Sequence, residues 1–333
     1  MSITSTRAKE IVGGFTGKHI LVVGDIFLDR YIYGKVERLN PEAPVPILHA
    51  KREENATGGA GNSAKNAAML GAMVTCIGVV GNDEAADLVD RSANDEGYTP
   101  VLVRSKRTAT IVKKRYIVGS QQLLRVDYEE LMDVSGDIED RVLQEIDAHA
   151  QSADAIIVSD YAKGTISESI AHALMNTMKE KKIPMMVDVK PSRVTYFTGA
   201  TYMSPNRKEA HEYLGINEHE NGGKKAHELA SMVSSSFDTT VFLTLGGEGM
   251  YVQAKGGSGD YIPTVYIKED EVVDTSGCGD TAAVAIVLSI LAGATLSEAG
   301  EIGNAAGATV ARKTGAVGIT PEELLRTIEE HHA

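Results

Sequence analysis

Five short runs rich in β-branched and other apolar residues are spaced along this chain, with amphipathic stretches between them, and that rhythm limits the folds open to it. The runs are His19–Gly24 and residues 74–80, 155–159, 185–187 and 240–245; residues 138–150 and 167–182 carry helical periodicity. Strands alternating with helices imply right-handed crossovers and a mostly parallel sheet covered on both faces, an α/β fold. Polar residues recur where strands end, at Gly24-Asp25, Ser159-Asp160, Asp188, Pro205-Asn206 and Leu245-Gly246. In open parallel sheets the ligand crevice lies beyond the carboxyl ends of the strands, so these residues point to one shared site. Any one of them alone reads equally well as a helix cap.

Two segments break the rhythm. Residues 31–57 are polar and Pro-rich around Pro41-Glu42-Ala43-Pro44-Val45-Pro46, too rigid for a helix. Residues 108–127 read as a hairpin: alternating Ile111, Lys113, Arg115 and Ile117, a turn at Gly119-Ser120, then Leu124 and Val126. Both are expected to form a small accessory sheet, a lid over the site that excludes water. With no internal repeat or low-complexity linker, residues 1–333 are expected to form a single domain.

The net charge of −13 argues against broad binding to nucleic acid or anionic membrane. Two cysteines, Cys76 and Cys278, make no disulfide framework, and a reducing compartment fits. Residues 1–14 lack the pattern of a secretory leader, and the apolar stretch at 282–292 is too short to span a bilayer. A cytoplasmic location is expected.

The 33 glycines cluster where backbone is expected to meet ligand, at Thr57-Gly58-Gly59-Ala60-Gly61 and at Asp274-Thr275-Ser276-Gly277-Cys278-Gly279-Asp280. The second cluster feeds the Ala-rich helix expected at 281–292. A Gly-rich turn entering a helix aims backbone N–H groups and the positive end of the helix dipole at one point. That is an anion hole suited to a transferring phosphoryl group, and Asp280 beside it can accept a proton from an attacking hydroxyl. The plainer reading makes Asp280 a helix stabiliser and the glycines packing residues.

The motif Asp-Thr-x-Gly-x-Gly-Asp at 274–280 resembles the C-terminal signature of the ribokinase-like (PfkB) carbohydrate kinases, and Gly58-Gly59-Ala60-Gly61-Asn62 resembles their other signature. The resemblance covers essentially the whole chain and implies a three-layer α/β/α fold with a small β-sheet lid. It implies Asp280 as the base and the Gly277, Cys278 and Gly279 amides as stabilisers of the phosphoryl group. It further implies sugar binding by Asp29, Gly58, Gly59 and Asn62, and nucleotide binding by Asn206, Thr244, Gly246, Gly249 and Asn304. ATP with Mg²⁺ is implied, Glu209 acting on the metal through water. K⁺ near Asp274 and the turn at Gly315 is a further implication, as is a homodimer formed through the lid. The family usually has Ala or Gly at the position of Cys278, and a thiol at a helix N-terminus is expected either to have a lowered pKa and react, or to be a small buried substitute for Ala.

Longer strings narrow the substrate. Asp29-Arg30-Tyr31 with the Pro-rich segment, residues 121–127, Ser159-Asp160-Tyr161-Ala162-Lys163-Gly164 and Asp188-Val189-Lys190-Pro191 are similar to the heptose 7-phosphate kinases of lipopolysaccharide inner-core synthesis. The implied reaction is phosphorylation of O1 of D-glycero-D-manno-heptose 7-phosphate to the 1,7-bisphosphate. Many relatives carry a nucleotidyltransferase domain after the kinase, and this chain, ending at Ala333, is expected to be the monofunctional form. A substrate that already carries phosphate needs fixed cations, and Lys163, Lys190 and Arg125 are the candidates. Lys113 and Arg115, on the other arm of the hairpin, read as solvated surface residues. The alternatives are a kinase for another sugar or sugar phosphate and, from a different class, a non-catalytic sugar-phosphate sensor. A dinucleotide-dependent dehydrogenase lacks support, because no Gly-x-Gly-x-x-Gly follows the first strand.

Overall fold

A computed structural model describes residues 3–119, 121–130, 133–217, 225–264, 266–315 and 317–332. The β-branched runs do form parallel strands. β1 (His19–Gly24) lies between β4 (Met73–Gly81) and β8 (Ala155–Asp160), with Val22 opposite Cys76 on one side and Ile157 on the other. Next to β8 come β9 (Met185–Val189), β10 (Tyr202–Met203) and β11 (Thr240–Thr244), all parallel. β5 (Thr99–Ser105) closes one edge, and the antiparallel pair β12 (Gly249–Gln253) and β13 (Gly259–Pro263) closes the other, making nine strands in the order β13-β12-β11-β10-β9-β8-β1-β4-β5. The central strands are buried on both faces, and for that reason they read as continuous apolar runs rather than alternating ones.

Helices cover both faces. On one side lie α1 (Ser5–Gly13), α2 (Ala60–Met69), α3 (Glu84–Asp95), α8 (Cys278–Leu291), α9 (Leu296–Ala311) and α10 (Pro321–His332). On the other lie α4 (Asp137–Ala150), α5 (Glu168–Lys181), α6 (Arg207–Tyr213) and α7 (Ala226–Phe237). The α8 sequence is apolar around its whole circumference, so it has no water-facing side and is buried from Asp280 to Ser289. Gly303 on α9 lets the two helices approach closely, since a Cβ there would lie 2.7 Å from Ile286 Cγ1.

The second sheet has four strands in the order β3-β2-β6-β7. They are β2 (Ile26–Leu39), β3 (Pro46–Gly59), β6 (Val112–Val118) and β7 (Gln121–Tyr128), and the β6–β7 pair is the antiparallel hairpin expected at 108–127. Ser120, at its turn, lies outside the described residues. Two boundaries differ from the sequence reading. The small sheet, expected as a lid, starts at Ile26, directly after β1, because β2 continues from the central sheet through Asp25 without a loop. α8 starts at Cys278, which places Asp280 inside its first turn. Among the described residues no helix is long and apolar enough to cross a membrane.

Candidate active site

The strand ends do converge. Directly after β1, the Asp25 carboxylate accepts three backbone N–H bonds from the loop leaving β8. Its Oδ2 takes those of Tyr161 (2.9 Å) and Lys163 (2.8 Å), and its Oδ1 takes that of Thr165 (2.9 Å). Asp160 accepts the N–H of Ala162 at 2.8 Å, and burial beside Asp25 pushes its carboxyl up to about 7. The loop that follows β8 is thereby fixed from below by two carboxylates.

Above it sits Asp280, buried in the first turn of α8. Asn62 Nδ2 donates to its Oδ2 at 2.6 Å, and the Tyr161 hydroxyl donates at 3.0 Å to Oδ1 and 3.3 Å to Oδ2. Burial pushes the carboxyl of Asp280 up, while these two hydrogen bonds and the charges of Lys65 and Lys190 pull it back. Gly277 caps the helix at φ 77, a left-handed value that favours glycine, and the space beside Gly279 is open where a Cβ would stand. The Gly277–Gly279 turn and Asp280 line a cleft of about 510 Å³.

All five residues expected to bind nucleotide, Asn206, Thr244, Gly246, Gly249 and Asn304, line that cleft, and so does Glu209, expected at the metal. Asn206 caps α6 through Glu209 N (2.9 Å), and Glu209 Oε2 accepts in return from Asn206 N (3.1 Å), a reciprocal box that orients both side chains. Glu209 Oε1 also meets Lys190 Nζ at 2.6 Å. Gly249 has a structural reason as well, since at φ 110 a Cβ would lie 2.2 Å from Ile262 O. Asp188 faces the same cleft, and burial with the nearby charges of Asp280 and Glu209 raises its carboxyl to about 8. Among the described residues no three His, Cys, Asp or Glu side chains gather as a preformed metal site.

The expected sugar side lies at the root of the lid. Asp29 on β2 is buried and paired with Arg115 on β6. Gly58 and Gly59 are required by packing: a Cβ at Gly58 would lie 2.2 Å from Phe27 Cε2, and one at Gly59, with φ 63, would lie 2.1 Å from Asp25 O. Asn62, expected against a sugar hydroxyl, spends its amide on Asp280. The three proposed phosphate-binding cations are not gathered in one place. Lys190 lines the main cleft, Lys163 borders a smaller neighbouring cavity and pairs with Glu129 at 2.8 Å, and Arg125 pairs with Asp127 at 2.9 Å on the exposed face of β7. Spacing along a chain says nothing about which carboxylate stands next to a lysine.

Two sequence expectations need correction. Lys113 and Arg115 are not solvated: Lys113 Nζ stands 4.0 Å from the centre of the Phe27 ring, and Arg115 is only 15% exposed against Asp29. The alternation of β6 turns these positions inward, a signal present in the sequence. Cys278 does not have a lowered pKa; burial, with Asp274 and Asp280 nearby, pushes the thiol up to about 11 and outweighs the helix end. Asp274, expected near a monovalent cation, accepts from Ser276 N and Gly315 N, both at 2.9 Å, and so ties two loops together. The sequence reading gave no role to Tyr161 or Asp188, although both lie in strings it had singled out.

Comparison with known proteins supplies the remaining information. Residues 18–323 match the profile described as pfkB family carbohydrate kinase. The chain is 38% identical over 314 residues to the bifunctional protein HldE of Caulobacter vibrioides, covering 93% of this chain and 63% of that protein. It is 36% identical over 319 residues to HldE of Paramagnetospirillum magneticum, covering 95% and 64%. The chain thus spans somewhat less than two thirds of the length of these curated relatives. Among solved structures, phosphofructokinase-2 from Escherichia coli in complex with potassium superimposes with a TM-score of 0.78 at 17% identity, covering 96% of this chain and all of that one. A putative ribokinase from Agrobacterium tumefaciens gives a TM-score of 0.72 at 17% identity, covering 94% and 98%. These two similarities establish the ribokinase-like three-layer fold.

Proposed function

The chain belongs to the pfkB family of carbohydrate kinases, and from that premise we propose that it transfers the γ-phosphoryl group of ATP to O1 of D-glycero-D-manno-heptose 7-phosphate. The observation that carries the kinase reading is Asp280, held by Asn62 and Tyr161 at the mouth of a helix N-terminus that opens on the cleft. In the reaction the O1 hydroxyl gives its proton to Asp280 as O1 bonds to the γ-phosphorus. The bond from that phosphorus to the β–γ bridging oxygen breaks, and ADP and the 1,7-bisphosphate leave. The Gly277, Cys278 and Gly279 amides face the equatorial oxygens, where charge is greatest.

ATP is expected between Asn206, Thr244, Gly246 and Asn304. Mg²⁺ carried on its phosphates would neutralise oxygen charge there, and the carboxylates of Glu209 and Asp188 are the groups that would face it. Burial, with the nearby charges of Asp280 and Glu209, raises the Asp188 carboxyl, and a cation between these acids would offset that crowding. K⁺ beside Asp274, pairing of two lids into a dimer, a cytoplasmic location and a role in lipopolysaccharide inner-core synthesis belong to the same proposal.

The heptose assignment is supported by the similarity to the HldE proteins and by the four sequence strings described above. One observation favours a second reading, a kinase for a neutral sugar. Lys163 and Arg125 already have carboxylate partners in Glu129 and Asp127, and they need no substrate phosphate for neutralisation. The test is ATP consumption with Mg²⁺ and K⁺ against D-glycero-D-manno-heptose 7-phosphate, ribose, fructose 6-phosphate and adenosine. Selective turnover of the heptose phosphate supports the proposal, and preference for ribose or adenosine replaces it with the second reading. Turnover of fructose 6-phosphate keeps the anionic substrate and discards the heptose. Silence with all four, despite ATP binding, favours a sensor.

A further inference from the structure

No step written above uses the Tyr161 side chain beyond its contact with Asp280, yet the surrounding structure is organised to deliver it. The ring stands edge-on to Phe27, with centroids 5.9 Å apart and planes at 88°. Lys190 Nζ lies 5.5 Å and Lys113 Nζ 5.9 Å from its centre. Directly behind it, Ala162 occupies the left-handed region at φ 55, a conformation that costs a non-glycine residue energy and persists only where neighbours enforce it. The enforcement is visible: Asp25 holds the amides of residues 161, 163 and 165, and Asp160 holds that of Ala162. Four amides fixed by two carboxylates, around one strained residue, bring a single phenol to a single carboxylate.

We propose that Tyr161 is a positioning residue for phosphoryl transfer, its hydroxyl fixing the orientation of the Asp280 carboxylate and favouring its proton-accepting form. This rests on the assignment of Asp280 as base. The groups that face Asp280 are Asn62 and Lys65 from α2, Tyr161 from the loop after β8, Asp188 and Lys190 from the end of β9, and Cys278 on its own helix. Burial acts to protonate Asp280, and the phenol is one of two neutral donors opposing it. The phenol itself stays protonated, because burial and the negative charge of Asp280 hold its pKa well above the ordinary range. A base works when deprotonated, so loss of this donor raises the pKa of Asp280 and removes activity from the acidic side.

The experiment compares wild type, Tyr161→Phe and Asp280→Asn as full chains. It records kcat/KM from about pH 5.5 to about pH 9 with the best acceptor found above, and reads folding from Tm and calorimetric ATP affinity. Tyr161→Phe keeps the ring and its contact with Phe27. The expected result is an acidic limb displaced upward by about one pH unit, with a loss of about tenfold at low pH that shrinks as pH rises. A limb that stays in place, whether or not the rate falls uniformly, overturns the proposal. Should Tyr161→Phe fail to fold, site-specific 3-fluorotyrosine at position 161 strengthens the donor and must move the limb the other way; an unmoved limb again overturns the proposal. Asp280→Asn that turns over like wild type removes the base assignment and the proposal together, and that result is separable from a failure of Tyr161 alone.

Discussion

Asp280 lies where a carboxylate is costly, in a buried helix turn facing other acids, and its ionised form depends on Asn62, Tyr161 and two lysine charges. Asp280→Asn keeps the shape and removes only the proton acceptor. Turnover should fall by about 10²–10⁴-fold while ATP affinity measured by calorimetry changes little, and equal rates for mutant and wild type would end its role as base. Cys278 makes the opposite point. With its thiol pushed up to about 11, the thiolate is scarce at neutral pH, so alkylation by iodoacetamide should be slower than for an ordinary cysteine and climb steeply up to that pKa. Fast labelling at pH 7 would contradict the buried environment. Single residues were the least legible feature of the sequence, since what Lys113 or Arg115 does depends on Phe27 and Asp29, far along the chain. Asp280 was legible because its glycines, its helix and its acid are contiguous.

Elements were read more reliably than residues, with misses that share a cause. The central strands declared themselves as apolar runs because both faces are covered, whereas β10 has only two residues and β12 and β13 form an edge hairpin with exposed positions such as Tyr261. Short or half-exposed strands leave little pattern to detect. The capping box that begins α6 was read as a nucleotide-binding pattern, and the geometry gives Asn206 and Glu209 a helix-capping duty that any ligand role must share. Asn206→Ala should therefore cost about 1 kcal/mol of stability by denaturant titration. Because the backbone N–H of Glu209 loses its Asn206 Oδ1 acceptor at the same time, the turn that presents the Glu209 carboxylate loosens and the apparent affinity for Mg·ATP should also weaken. Loss of stability with unchanged nucleotide affinity would leave Asn206 as a cap alone.

At the scale of the whole molecule, the root of the small sheet is braced by a buried ion pair between its strands β2 and β6, Asp29 with Arg115, close to where β2 leaves the central sheet. Arg115→Ala strands a buried carboxylate, and removal of one partner from such a pair costs about 3–5 kcal/mol. Thermal unfolding should show that loss, and the KM for the sugar should rise far more than the KM for ATP, because the nucleotide cleft is built from other strands. Equal changes in both would mean that the pair serves general stability only. The lid was legible as a Pro-rich break and an alternating hairpin, but its true root at Ile26 was not, since nothing local marks where a strand changes sheets.

Asn62 and Asp280 touch at 2.6 Å although 218 residues separate them. During synthesis α2 emerges first, and the side of it that packs on α8 stays uncovered until α8 leaves the ribosome. A nascent chain interrupted before that point contains the small sheet, the first strands and the loop that bears Tyr161, but neither Asp280 nor the Gly277–Gly279 turn. On the proposed mechanism half-made protein is unable to spend ATP, and the uncovered side of α2 is where a chaperone would be expected to hold the chain while it waits.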